Sequence, residues 1–245
     1  MSRGRELADA LEDELRPLGT SERAAQERAY LKSSLDFLGV SVPAGRAATK
    51  RFLRSHPELA DRDLLLATIE ALWSKPIFER RRAAVELLEL KHTVLRVEDL
   101  ALIEHLVRQS YTWALVDELS AHLAGRLIAD NPGDPLVGKT LDRWASDDDF
   151  WVRRSALLAH LVGLKRGVGF ERFARYADAM LDEREFFIRK AIGWVLREEG
   201  RRRPDVVAAW LLPRASRASG VTVTEAVKYL APDQASAIRS ARRTR

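Results

Sequence analysis

The sequence has no cysteine in its 245 residues, which excludes disulfides, thiolate zinc sites and iron–sulfur clusters. No apolar run approaches the ~18 residues of a membrane-spanning helix. The N-terminal stretch MSRGRELADALEDELRPLG is charged throughout and lacks the apolar core of a signal peptide. No hairpin signal and no alternating strand pattern occurs anywhere. The histidines, His56, His92, His105, His122 and His160, show no metal-ligand spacing such as H-x-x-x-H. These absences leave a cytoplasmic enzyme or binding protein, with no membrane and no metal expected.

What is present points to a globular, charged chain. Apolar residues make up 46% and charged residues 31%, which argues against disorder. The net charge of +5 is unevenly spread. Residues 1–149 hold 21 Lys/Arg against 26 Asp/Glu, a net of −5, whereas residues 150–245 hold 20 against 10, a net of +10. A polyanion partner for one end of the molecule follows from this asymmetry. The competing reading is an Arg-rich solvated surface.

Apolar residues recur at helical spacing, as at Leu65, Ile69 and Leu72, and Pro or Gly punctuates the periodic stretches at Pro43, Pro76, Pro132 to Pro135, Gly167, Pro204 and Pro213. The helices repeat. FERRRAA from Phe78, FWVRRSA from Phe150 and FFIRKAI from Phe186 are variants of one phrase, starting 72 and 36 residues apart. One copy is due near 114, where Trp113 to Asp117 stands, and a weaker copy is Thr224 to Lys228. A second amphipathic helix precedes the copies, at Asp99 to Gln109, Pro135 to Ala145 and Gly169 to Leu181. Helix pairs at this period predict an all-α fold, a HEAT-like or ARM-like α-solenoid of stacked pairs with a concave basic groove. We expect one domain over 1–235, a short basic tail over 236–245, and a monomer. The acidic SDDDF before Trp151 and LDERE before Phe186 suit helix N-termini.

In such a stack the second helix of each pair lines the groove, so Trp113, Asp117, Trp151, Arg154, Lys190, Trp194, Arg197 and Lys228 are expected to face it. Trp113 and Asp117 lie four apart and share one helix face. For a single tryptophan, core packing is the competing reading, and Trp73, Trp144 and Trp210 are assigned to it.

At these residues the chain resembles the AlkD-like DNA alkylation repair glycosylases. RAYLKSSLDFLGVSVP (28–43) is similar to the family's N-terminal helix and turn, and LWSKPIFERRRAA (72–84) to its next unit, with Trp73, Pro76 and Glu79 in place. Trp113 and Asp117 stand at the family's catalytic aromatic and carboxylate, Arg154 at its groove arginine, and KAIGWVLRE (190–198) puts Trp194 at a second lesion-flanking aromatic. Departures are Ala114 and the turn Ser41-Val42. The resemblance implies excision of 3-alkyladenine and 7-alkylguanine from duplex DNA, and a place in the cytoplasm at the nucleoid.

Such bases are cations once alkylated, and they depart neutral without needing a proton. The expected site therefore stabilises only the sugar oxocarbenium ion. Asp117 would do this and orient water, Trp113 and Trp194 would flank the lesion, and Arg154 would hold the adjacent phosphate. Trp151, Arg189, Lys190, Arg197, Lys228 and Tyr30 are the further DNA-contact candidates. No cofactor is required, and no lysine emerges as a Schiff-base nucleophile. Two rivals stay open. One is a helix-hairpin-helix glycosylase, from Leu161 to Gly169, although Arg166 sits where that motif has proline. The other is a non-catalytic repeat scaffold that binds DNA structures or a protein.

Overall fold

The structure is a computed structural model that describes residues 2–243. Backbone contacts divide the chain into two compact units, 1–119 and 120–245. Unit 1 contains α1 (Arg3–Leu15), α2 (Ser21–Leu31), α3 (Val42–Ser55), α4 (Arg62–Trp73), α5 (Phe78–Leu90), α6 (Leu100–Arg108) and α7 (Trp113–Asp117). A π-helical turn, Glu118–Ala124, continues α7 into α8 (Gly125–Asp130), and the division between the units falls within it. Unit 2 goes on with α9 (Pro135–Ala145), α10 (Phe150–Leu158), α11 (Leu161–Lys165), α12 (Phe170–Ala179), α13 (Phe186–Gly200), α14 (Pro204–Leu211), α15 (Gly220–Ala226) and α16 (Pro232–Arg243). Among the described residues, β structure is limited to two isolated bridges, and no helix is long and apolar enough to cross a membrane.

The fold is an all-α helical repeat, as the periodicity predicts. Each copy of the repeated phrase opens a helix, because Phe78, Phe150 and Phe186 are the first residues of α5, α10 and α13. The acids before the last two phrases act as caps. Asp149 accepts the Trp151 N–H at 2.8 Å and Glu185 accepts the Phe187 N–H at 3.2 Å. Thr112 caps α7 through the Ala114 N–H, and Ser219 caps α15 through the Thr222 N–H. That last cap starts α15 at Gly220, so the copy expected at Thr224 to Lys228 falls at the end of its helix instead. Residues 236–243, expected as part of a tail, form the last turns of α16, with Ile238 buried; Thr244 and Arg245 lie outside the described residues.

Cores form where the apolar stripes meet. In unit 1, α1 packs on α4 and α4 on α5, burying Leu7, Leu11, Leu65, Ile69 and Leu72. Each such side chain contributes about 1.5–3 kcal/mol of burial before entropy is subtracted. Between α1 and α5 lies a charge cluster. The Arg80 guanidinium, only 1% exposed, donates to Glu12, to Asp9 at 3.1 Å and to the Ala71 carbonyl at 2.8 Å, and Lys75 also donates to Glu12. Burial raises the Glu12 carboxyl, but the hydrogen bonds from Lys75, Arg80 and Arg16 outweigh it and hold the group below its ordinary value. In unit 2, α13 packs on α10 and α15, and α10 on α9. Its buried His160 donates locally from Nδ1 to the Ala156 carbonyl, 2.9 Å away, and burial lowers its pKa to about 4. His56 and His92 also pair locally, with the Phe52 and Glu89 carbonyls.

Candidate functional site

In unit 1 the site is built around the short helix α7. Thr112 fixes its start, Leu115 and Val116 anchor it in the core, and Trp113 and Asp117, one turn apart, stay half-buried on its other face. The edge of the neighbouring ring meets Trp113: Tyr30 of α2 lies 5.9 Å away in a T-shaped arrangement and is 71% exposed. The geometry therefore unites three of the expected site residues, Tyr30, Trp113 and Asp117. A π turn begins immediately after Asp117, and such turns are frequent at functional sites because they displace the side chains that follow.

The chain that follows Tyr30 is pinned by a buried acid. Glu79, 3% exposed, accepts the backbone N–H groups of Leu38, Gly39 and Val40 at 2.8, 2.7 and 3.1 Å. Gly39 has φ +78, and a Cβ there would lie 2.1 Å from the Thr20 carbonyl oxygen. These contacts give a physical reason for Glu79 within the 72–84 stretch.

Two residues that the sequence did not single out hold the turn that leads into Trp113. Tyr111 has φ +51, a left-handed conformation unusual for a side chain of this size, and it is 51% exposed. Arg81 of α5 is buried, lies 5.2 Å from the Trp73 ring and 5.6 Å from the Tyr111 ring, and donates to the Gln109 carbonyl. In the sequence Arg81 is one member of an ordinary Arg-Arg-Arg run, and nothing there marks Tyr111 for φ > 0.

In unit 2 the expected residues occupy α10, α13 and the short 3-10 turn Val227–Tyr229 after α15. Trp151 is half-buried and packs 4.8 Å from the Phe187 ring. Arg154 is not on the surface, as the repeat phase suggested, but 2% exposed. Its guanidinium lies 5.8 Å from the Phe187 ring and donates to the Phe187 carbonyl at 2.5 Å, so it links α10 to the start of α13. Trp194 stays half-buried while Ala191, Ile192 and Gly193 around it are buried. Gly193 is required there, since a Cβ would lie 2.8 Å from the Glu225 Cβ and 3.0 Å from the Thr222 carbonyl oxygen of α15. Close approach of α15 thus accounts for the glycine before Trp194.

The cations differ in what they can offer. Arg189 is half-buried and turned back to donate to the Glu183 carbonyl at 2.6 Å, whereas its neighbour Lys190 is exposed beside the Phe186 ring. Arg197 and Lys228 share one acid, Glu225, at 2.5 and 2.8 Å. Lys228 first, then Arg197, hold the Glu225 carboxyl below its ordinary value against the effect of burial. Of the tryptophans assigned to the core, Trp73 and Trp144 are buried, but Trp210 is half-buried with the Arg214 guanidinium 5.0 Å from its ring. Arg166, in the segment that suggested a helix-hairpin-helix turn, donates to Asp130 and the Ala129 carbonyl of α8.

The sequence profile of the DNA alkylation repair enzymes matches residues 11–230. The chain belongs to this family. DNA is therefore its substrate class, and repair of alkylated DNA its role. Among solved structures, it is similar to a protein described as a predicted DNA alkylation repair enzyme from Enterococcus faecalis. The two share 26% identity with a TM-score of 0.78, over 87% of this chain and 97% of the other. No curated protein matches the sequence.

Proposed function

We propose that this DNA alkylation repair enzyme is a monofunctional DNA glycosylase. It hydrolyses the N-glycosidic bond of 3-alkyladenine and 7-alkylguanine in duplex DNA. The observation that carries this reading is Asp117, half-buried one helical turn from the Trp113 indole. A carboxylate beside π-faces suits a cation, and the sugar becomes one as the glycosidic bond breaks. An alkylated base is already positive, so it leaves neutral and asks no acid of the protein. Asp117 stabilises the developing oxocarbenium ion and orients the water that attacks it. The negative face of Trp113 favours the cationic lesion by about 0.5–2 kcal/mol.

The second unit contributes DNA contacts of its own, from Trp151, Lys190, Trp194, Arg197 and Lys228, with Arg154 buried behind them. Arg154 acts there through the Phe187 segment that it holds, and Lys190 is the cation best placed to meet a phosphate because it is exposed and carries no ion pair among the described residues. Affinity for undamaged duplex should fall linearly with salt on log–log axes, and Lys190→Ala should reduce the slope by about 0.9. Lys228→Ala should reduce it less, because Glu225 already neutralises much of its charge. A salt-independent affinity in a titration followed by fluorescence anisotropy would contradict the phosphate assignment.

The function itself is tested on an end-labelled duplex with a single 7-methylguanine. Hydrolysis without lyase chemistry should leave the strand whole on a denaturing gel until hot alkali cleaves it at the abasic site. Breakage before alkali would mean a lyase. A strand that resists alkali would favour the non-catalytic scaffold.

A further inference from the structure

We propose that Arg81, together with Tyr111, is a positioning device that sets the place of Trp113; this rests on the glycosylase reading above. Three observations converge on it. The Arg81 guanidinium is 4% exposed and has no carboxylate partner among the described residues. Its charge is met instead by the faces of Trp73 and Tyr111 and by the Gln109 carbonyl. A buried cation without an anion is expensive, and burial indeed pushes this guanidinium below its ordinary value.

The segment it grips is the turn from α6 into α7. Gln109 closes α6, Ser110 returns its hydroxyl to the Leu106 carbonyl at 2.9 Å, Tyr111 takes the left-handed conformation, and Thr112 caps α7. Trp113 is the next residue and the first of α7. A tyrosine at φ +51 costs about 1–3 kcal/mol and persists only when its surroundings over-determine it. The Arg81–Tyr111 ring contact and the Arg81–Gln109 hydrogen bond supply that constraint from both ends of the turn. The strained turn directs α7, and α7 directs the Trp113 ring against Tyr30. A flat guanidinium can lie against two rings and still reach a carbonyl; an ammonium cannot.

The test is Arg81→Lys, with Tyr111→Ala as a second variant that opens the clamp from its exposed side and leaves the buried cation in place. Single-turnover release of 7-methylguanine should fall about 10–100-fold, the scale of an ångström-sized misplacement. Affinity for undamaged duplex should stay within about threefold. In a Trp113→Ala background the same change should add almost nothing, because both act through one ring. Independently of activity, the protein is labelled with 5-fluorotryptophan and the Trp113 line is assigned by Trp113→Phe. That ¹⁹F line should shift or broaden in Arg81→Lys and in Tyr111→Ala. An unmoved Trp113 line, or a rate loss that adds fully to that of Trp113→Ala, would overturn the proposal. A wild type that releases no base would refute the glycosylase reading, and the fluorine line would still decide whether Arg81 places Trp113.

Discussion

Asp117→Asn should slow base release by about 10²–10³-fold, the loss associated with one preorganised electrostatic group. The substitution keeps the shape of the side chain and removes its charge, so the half-buried position on α7 and the caps that start the helix should be unchanged. Binding to undamaged duplex should be equal or slightly tighter, since a negative charge is removed from a surface that meets phosphates. Single-turnover rates with saturating enzyme separate these effects, because they report the chemical step rather than affinity. A rate within threefold of wild type would remove Asp117 from the chemistry.

A second large effect concerns the charge of the leaving base. If the protein stabilises the sugar and leaves the base unprotonated, 3-methyladenine and 7-methylguanine should be released while uracil, hypoxanthine and 8-oxoguanine stay in the same duplex. Neutral bases depart as anions unless an acid protonates them. Trp113→Ala should slow release of the cationic bases through loss of π-face contact and of lesion positioning, and Trp194→Ala should do so as well. Neither change should create activity on neutral bases. Efficient release of hypoxanthine by the wild type would require a general acid in addition to Asp117 and would end the mechanism as stated.

Much of the fold was legible because helix starts carry local chemistry. Asp149 and Glu185 announce α10 and α13 by capping them, and the 36-residue spacing of Phe150 and Phe186 then sets the repeat. The same logic located Trp113 at the first residue of α7 and its one-turn spacing to Asp117. Repeat phase failed where a side chain's partner comes from another repeat. It names the helix that carries Arg154 but not the Phe187 carbonyl, 33 residues further on, that draws the guanidinium inward. Trp210 was read as core, yet Arg214, one turn later, covers it at the surface. Glu225 lies three residues before Lys228, but only the fold brings Arg197, 28 residues away, to the same acid. The left-handed backbone of Tyr111 is likewise set by tertiary contacts with Arg81, not by its own residue type.

The most direct measurement is the identity of the small molecule released from duplex DNA bearing 7-methylguanine. Wild-type protein is incubated with the duplex, the DNA is removed by filtration, and the filtrate is analysed by mass spectrometry. Hydrolysis of the glycosidic bond predicts intact 7-methylguanine in the filtrate, in equal amount to the abasic sites left in the duplex, and almost none with Asp117→Asn in the same time. A filtrate without 7-methylguanine, with either the lesion or restored guanine still in the strand, would contradict the account.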